Sequence, residues 1–184
     1  QAVKNAGRLI QDGGASSIKL EGGAIMADRV RTITQVGIPV MGHIGLTPQS
    51  VHQFGGYKVQ GKNYLDSRKI KQDASDLQSA GIFALVLEGI PSELGEEITS
   101  ELKIPTIGIG AGAKCDGQIL VLHDLLGLNQ DFVPKFVKQY AQLADNLKIA
   151  VTEFIEEVKT ESFPSQEHIY HSKQGRLKQV NDGN

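Results

Sequence analysis

The chain of 184 residues is long enough for one well-buried core and short for two ordinary domains. With 40% hydrophobic residues, 22% charged residues and a net charge of −2, it lacks the basic excess of a nucleic-acid-binding protein and reads as a soluble protein suited to metabolite chemistry. No apolar run approaches the roughly 18 residues of a membrane span, and no secretory leader is recognisable. The single Cys115 cannot form an internal disulfide, so a reducing, cytoplasmic setting is expected, with the thiol in a packing role.

Helical spacing of Val3, Ala6, Leu9 and Ile10 predicts a helix over 1–12, with no strand before it, so an upstream part is expected to be absent. A strand follows at 17–21, then a helix at 24–36 and a strand at 38–43. A polar, glycine-rich connection runs through 44–63, with Gly45, Gly55, Gly56 and Gly61 as hinges, and its length suggests a functional lid. Leu65, Ile70, Ala74 and Leu77 mark a helix that stops at Gly81. A strand at 83–88, a helix from Pro91 carrying Leu94, Ile98 and Leu102, and a strand at 105–109 come next. The apolar run 119–122 reads as a fifth strand, and an amphipathic helix from Pro134 to Lys159 presents an apolar stripe suited to a core or a subunit interface. Residues 1–171 read as the catalytic domain and 172–184 as a polar tail.

Two strands end in the same way. Leu20-Glu21-Gly22 and Leu87-Glu88-Gly89 each close an apolar run with a carboxylate. Continuous apolar strands alternating with helices indicate a parallel sheet, either open and doubly wound or most of a barrel, and ligands gather at the carboxyl ends of such strands. Lys19 and Glu21 stand two apart and project from one face. They could form an internal salt bridge, or a lysine could hold a substrate carboxylate while one carboxylate binds a metal and another acts as general base. His43, flanked by Gly42 and Gly45, is a possible lining residue of the same site, and Asp124 could line its mouth or cap a helix. His52, His123, His168 and His171 lack metal-ligand spacing. The run Gly108-Ile109-Gly110-Ala111-Gly112 departs from the dinucleotide-binding pattern and fits a strand-end loop close to a ligand.

Taken together, Ile-Lys-Leu-Glu-Gly-Gly, Gly-His-Ile-Gly-Leu-Thr-Pro-Gln-Ser, Gly-Gly-Tyr-Lys-Val-Gln-Gly, Leu-Val-Leu-Glu, Ile-Gly-Ile-Gly-Ala-Gly and Asp-Gly-Gln-Ile-Leu-Val with His123-Asp124 resemble the ketopantoate hydroxymethyltransferase family over roughly 1–170. The resemblance implies a (β/α)8 TIM barrel of the phosphoenolpyruvate/pyruvate superfamily, here lacking its first strands. It implies large homo-oligomers, decamers in the family, and small-molecule substrates with no nucleic-acid or membrane partner. The implied reaction is transfer of a hydroxymethyl group from methylenetetrahydrofolate, the one-carbon cosubstrate, to 3-methyl-2-oxobutanoate, with magnesium chelating the keto acid. By matching motifs, Glu88 would be the catalytic base, Lys19 the keto-acid-binding lysine and Glu21 a magnesium-associated glutamate. The family's magnesium-binding aspartates come from earlier strand ends, and no such strand end precedes Lys19 here, so the chain is expected to hold metal poorly by itself. A magnesium-dependent carbon-carbon lyase of the same superfamily and a noncatalytic oligomerising fragment are the competing readings.

Overall fold

The computed structural model describes residues 1–47 and 58–171. Half of the expected lid, 48–57, and all of the polar tail lie outside the described residues. Two units are present, one comprising Gln1–Val121 with Pro134–Val137, the other Leu122–Val133 with the chain from Lys138 onward.

In the first unit, α1 (Ala2–Gln11), β1 (Ile18–Glu21), a 3-10 turn (Ala24–Met26) leading into α2 (Ala27–Gln35), β2 (Val40–Gly45), α3 (Tyr64–Ser79), β3 (Ala84–Glu88), α4 (Ser92–Glu101), β4 (Thr106–Ile109) and β5 (Gly117–Gln118) follow in order. Local chemistry explains several boundaries. Asn63 caps α3 by accepting the Asp66 N–H at 2.9 Å, and Gly81, at φ +99°, takes the left-handed turn that ends it.

The five strands are all parallel and their spatial order is β1-β2-β3-β4-β5. A doubly wound sheet reverses its strand order and carries helices on both faces. Here the order never reverses, and right-handed crossovers repeated in one direction leave the crossover helices α2, α3 and α4 on one face. That is the arrangement of consecutive strands in the wall of a (β/α)8 barrel. The helix-facing row, with Ile18, Val40, Ile44, Leu85 and Leu87, packs against Ala6, Val30, Ile33, Ile70, Ala74, Leu77, Leu94 and Ile98 in one apolar core. Lys71 ties α3 to α4 through Glu101 and Glu97, at 2.6 and 3.2 Å. These two carboxylates, Glu101 foremost, raise the lysine's pKa above its ordinary value.

The fifth strand lies earlier than the apolar run suggests. β5 is Gly117–Gln118, and Ile119, Val121 and Leu122 are exposed. Only Ile119 extends the ladder, donating its N–H to the Gly108 carbonyl at 3.0 Å, before a short helix α5 (Leu122–Leu125) begins. With so short a ladder, a side-chain network holds the edge. Asp116 Oδ2 accepts from Thr106 N–H at 2.8 Å and from Thr106 Oγ1 at 3.1 Å, and the fully buried Thr106 hydroxyl also lies 2.8 Å from Thr99 Oγ1.

In the second unit the long helix is shorter than the sequence pattern predicts. α6 spans Leu143–Lys159, and 134–142 is not helical. Before the helix, the Tyr140 N–H bonds the Leu125 carbonyl at 2.8 Å instead of the carbonyl four residues back. At the helix start, Leu143 and Ala144 donate to Leu126 and Gly127, so the segment around α5 supplies the acceptors that the first helical turn needs. No residue of α6 is buried, and Leu147, Val151, Phe154 and Val158 remain about half exposed, so the stripe is no part of a core among the described residues. No described helix is long and apolar enough to cross a membrane.

Gly45 closes β2 at φ +93°, and a Cβ there would lie 2.2 Å from the Glu88 carbonyl oxygen. The neighbouring Leu46 N–H bonds that same oxygen at 2.7 Å. Gly45→Ala therefore combines left-handed strain, of order 1–3 kcal/mol, with a backbone clash. A melting temperature lowered by several degrees is expected on thermal unfolding, since each kcal/mol moves a protein of this size by roughly 2–4 °C.

Candidate functional site

Strand pairing assembles the site. Glu21 is opposite His43 across β1 and β2, His43 is opposite Val86, and Gly45 is opposite Glu88 across β2 and β3. Because side chains alternate along a strand, Lys19, Glu21, His43 and Glu88 all fall on the face that the helices do not cover. They come from the carboxyl-terminal parts of three consecutive parallel strands, where α/β proteins place their ligands.

Side chains meet around the His43 ring. Lys19 Nζ donates toward His43 Nδ1 at 3.4 Å. Glu21 Oε1 is 3.5 Å from the same nitrogen, and Glu88 Oε2 is 3.1 Å from Nε2. The ring is buried, at 2% side-chain exposure, while Glu21 and Glu88 retain 17% and 15%. All four residues singled out in the sequence are therefore brought together. The internal salt bridge that is the alternative reading of Lys19 and Glu21 does not form. Lys19 makes its side-chain hydrogen bond to the histidine instead.

Two buried polar atoms in this cluster have no hydrogen-bond partner among the described residues, Glu21 Oε2 and His43 Nε2. The second is close to Glu88 but off the line of an N–H···O bond. An unpaired carboxylate oxygen is a fitting donor for magnesium, which binds oxygen and commonly takes one or two carboxylates together with water and substrate oxygens. Glu21 can supply one such ligand. Among the described residues, no group of three or more His, Cys, Asp or Glu side chains is arranged to hold a metal ion.

The turn after Glu21 is pinned from two sides. Gly22 N–H bonds the His43 carbonyl at 3.0 Å, and Asp73 of α3 accepts the Ala24 N–H at 2.7 Å. The Asp73 carboxylate lies against Gly23 so closely that a Cβ there would come within 2.1 Å of it. Asp73 thus caps the helix that follows Glu21 from another element, a role with no local sequence signal because 49 residues separate the partners.

Other candidates have different duties. The glycine-rich loop after β4 makes room for protein: a Cβ on Gly110 would meet the Phe136 ring at 2.6 Å, and one on Gly112 would meet Ser92 at 2.6 Å. Cys115 is buried with the core cluster. Asp124 accepts the Asn129 amide at 2.6 Å and so holds the turn after its own helix, and His168 Nδ1 is 2.7 Å from Ser165 Oγ. His52 lies outside the described residues.

The sequence profile of ketopantoate hydroxymethyltransferase matches residues 1–166. The 3-methyl-2-oxobutanoate hydroxymethyltransferase of Syntrophus aciditrophicus is 55% identical over 170 residues, covering 92% of this chain and 62% of that protein. The enzyme of the same name from Pelobacter propionicus is 54% identical over 171 residues, covering 93% and 63%. That of Clostridium beijerinckii is 52% identical over 180 residues, covering 98% and 66%. The chain thus spans a little under two thirds of the length of these relatives.

Gly23→Ala should displace the Asp73 carboxylate and remove its bond to Ala24, lowering stability by about 1–2 kcal/mol, the range for a lost helix cap. Asp73→Ala should lose a similar amount, but Gly23→Ala added to it should cost little more because the clash is gone. Urea unfolding of the two single variants and the double variant measures this coupling, and strictly additive losses would contradict the contact.

Proposed function

Because the chain belongs to the ketopantoate hydroxymethyltransferase family, we propose that its protein transfers the one-carbon unit of methylenetetrahydrofolate to 3-methyl-2-oxobutanoate, giving 2-dehydropantoate in the first step of pantothenate synthesis. The observation that carries this reading is the convergence of one lysine and two glutamates on a buried histidine at adjacent parallel strand ends.

Each residue has a separable task. The Lys19 ammonium binds the keto-acid carboxylate, a charge-assisted contact that fixes the substrate relative to the strands. Glu88 removes a proton from C3, leaving the electron pair on carbon to form the new bond to the one-carbon unit. The C–N bonds to tetrahydrofolate break, its nitrogens take up the abstracted proton and one proton of water, and the hydroxide of that water completes the hydroxymethyl group. Glu21, with its unpaired oxygen, would hold magnesium, whose contribution when bound is to stabilise negative charge on the keto oxygen. Residues from the rest of a closed barrel would complete the metal site.

The same reading includes self-association and a cytoplasmic setting. Self-association is supported by the exposed apolar stripe of α6, and the cytoplasm by the unpaired Cys115.

Glu88→Gln keeps the shape and deletes the base. In the full-length protein, solvent deuterium exchange at C3 of 3-methyl-2-oxobutanoate should fall by about a hundredfold to ten-thousandfold, with keto-acid binding retained. Unchanged exchange would assign the base elsewhere.

Lys19→Ala should weaken keto-acid binding well beyond folate binding, because only the keto acid loses a charge-assisted contact. Calorimetric titration of the two ligands separates the cases, and an equal loss for both would return Lys19 to a structural role.

A further inference from the structure

Among the four clustered side chains, His43 alone touches the other three. Its chemistry can be read from its neighbours. The contact with Lys19 meets hydrogen-bond geometry, and an ammonium can only donate, so Nδ1 is the acceptor. The neutral ring then carries its proton on Nε2, the nitrogen that faces Glu88. That N–H is buried, 3.1 Å from Glu88 Oε2, and misaligned. Catalytic hydrogen bonds are often loose in a ligand-free site and tighten when substrate arrives. The backbone limits any other use of the ring, because β2 lies between β1 and β3 and pairs with both.

We propose that His43 is a positioning residue for proton abstraction. Lys19 sets its tautomer, and its Nε2–H holds Glu88 Oε2 so that the other carboxylate oxygen faces the C3–H bond. The substrate proton passes to Glu88, the electron pair stays on C3, and His43 keeps its own proton throughout. This inference rests on the proposed role of Glu88 as base.

Amide substitutions separate the two ring nitrogens. His43→Gln places an N–H near the position of Nε2, whereas His43→Asn reproduces only the region of Nδ1. In the full-length protein with magnesium and 3-methyl-2-oxobutanoate, C3 exchange should stay within about tenfold of the parent for His43→Gln and fall by about a hundredfold or more for His43→Asn. The keto-acid dissociation constant, measured alongside, keeps a binding defect apart from a loss at Glu88, because Lys19, which bonds Nδ1, also holds the substrate carboxylate. Equal losses in two folded variants, or full exchange in His43→Asn, would overturn the proposal. Glu88→Gln measured in parallel keeps the failures distinct, because exchange surviving in that variant removes the base assignment itself. Nitrogen-15 resonances of labelled histidine in the unsubstituted protein give a test that does not depend on variant folding. A protonated Nε2 and bare Nδ1 at His43 are expected, and the opposite tautomer would refute the mechanism.

Discussion

Everything at the candidate site depends on the parallel register of β1, β2 and β3. A shift of one residue in any of these strands would turn its chemical groups toward the helices and its aliphatic groups toward the open face. The aliphatic row resists that shift. Val40, Leu85 and Leu87 are fully buried beneath α2, α3 and α4, and a slip of one residue would put Met41, Val86 and Glu88 in their places. Packing on one face therefore fixes the chemistry on the other. The core matters to function mainly as a device that sets register.

The same constraint explains the glycines that border the site. Gly45 allows β2 to end against the Glu88 backbone, and Gly23 allows the Asp73 carboxylate to reach the first amide after the turn. In each place the group excluding a Cβ is itself a hydrogen-bond acceptor for a neighbouring N–H. Steric fit and polar satisfaction are thus met by the same contact. Substitutions there disturb the strand end and its hydrogen bonding together.

Much of this was legible in the sequence because the strands are short, continuous apolar runs and two of them end in the same Leu-Glu-Gly triplet. Strand alternation alone placed Lys19 and Glu21 on one face. The central position of His43 was not legible, since it depends on which residue of β2 lies opposite which residues of β1 and β3. Asp73 was hidden for a similar reason: on its own helix it looks like any solvated acid. The early part of the predicted 134–159 helix failed because periodicity cannot reveal that a backbone N–H has a partner elsewhere, as that of Tyr140 does. The apolar run after β5 misled because hydrophobicity does not report where an edge ladder ends.

The short edge strand has a consequence for local motion. Only two residue pairs join β5 to β4, and the Asp116 carboxylate supplies much of the remaining attachment through Thr106. Within the sheet of the described residues, an edge held by so few bonds should open at a lower free-energy cost than the central strands. Cys115, adjacent to Asp116 and packed with its sulfur against Gly108, is buried while this edge is closed. Its thiol is therefore a natural reporter of fraying: the rate at which a soluble disulfide reagent modifies it would follow the equilibrium between the docked and the detached edge, without requiring the rest of the sheet to unfold.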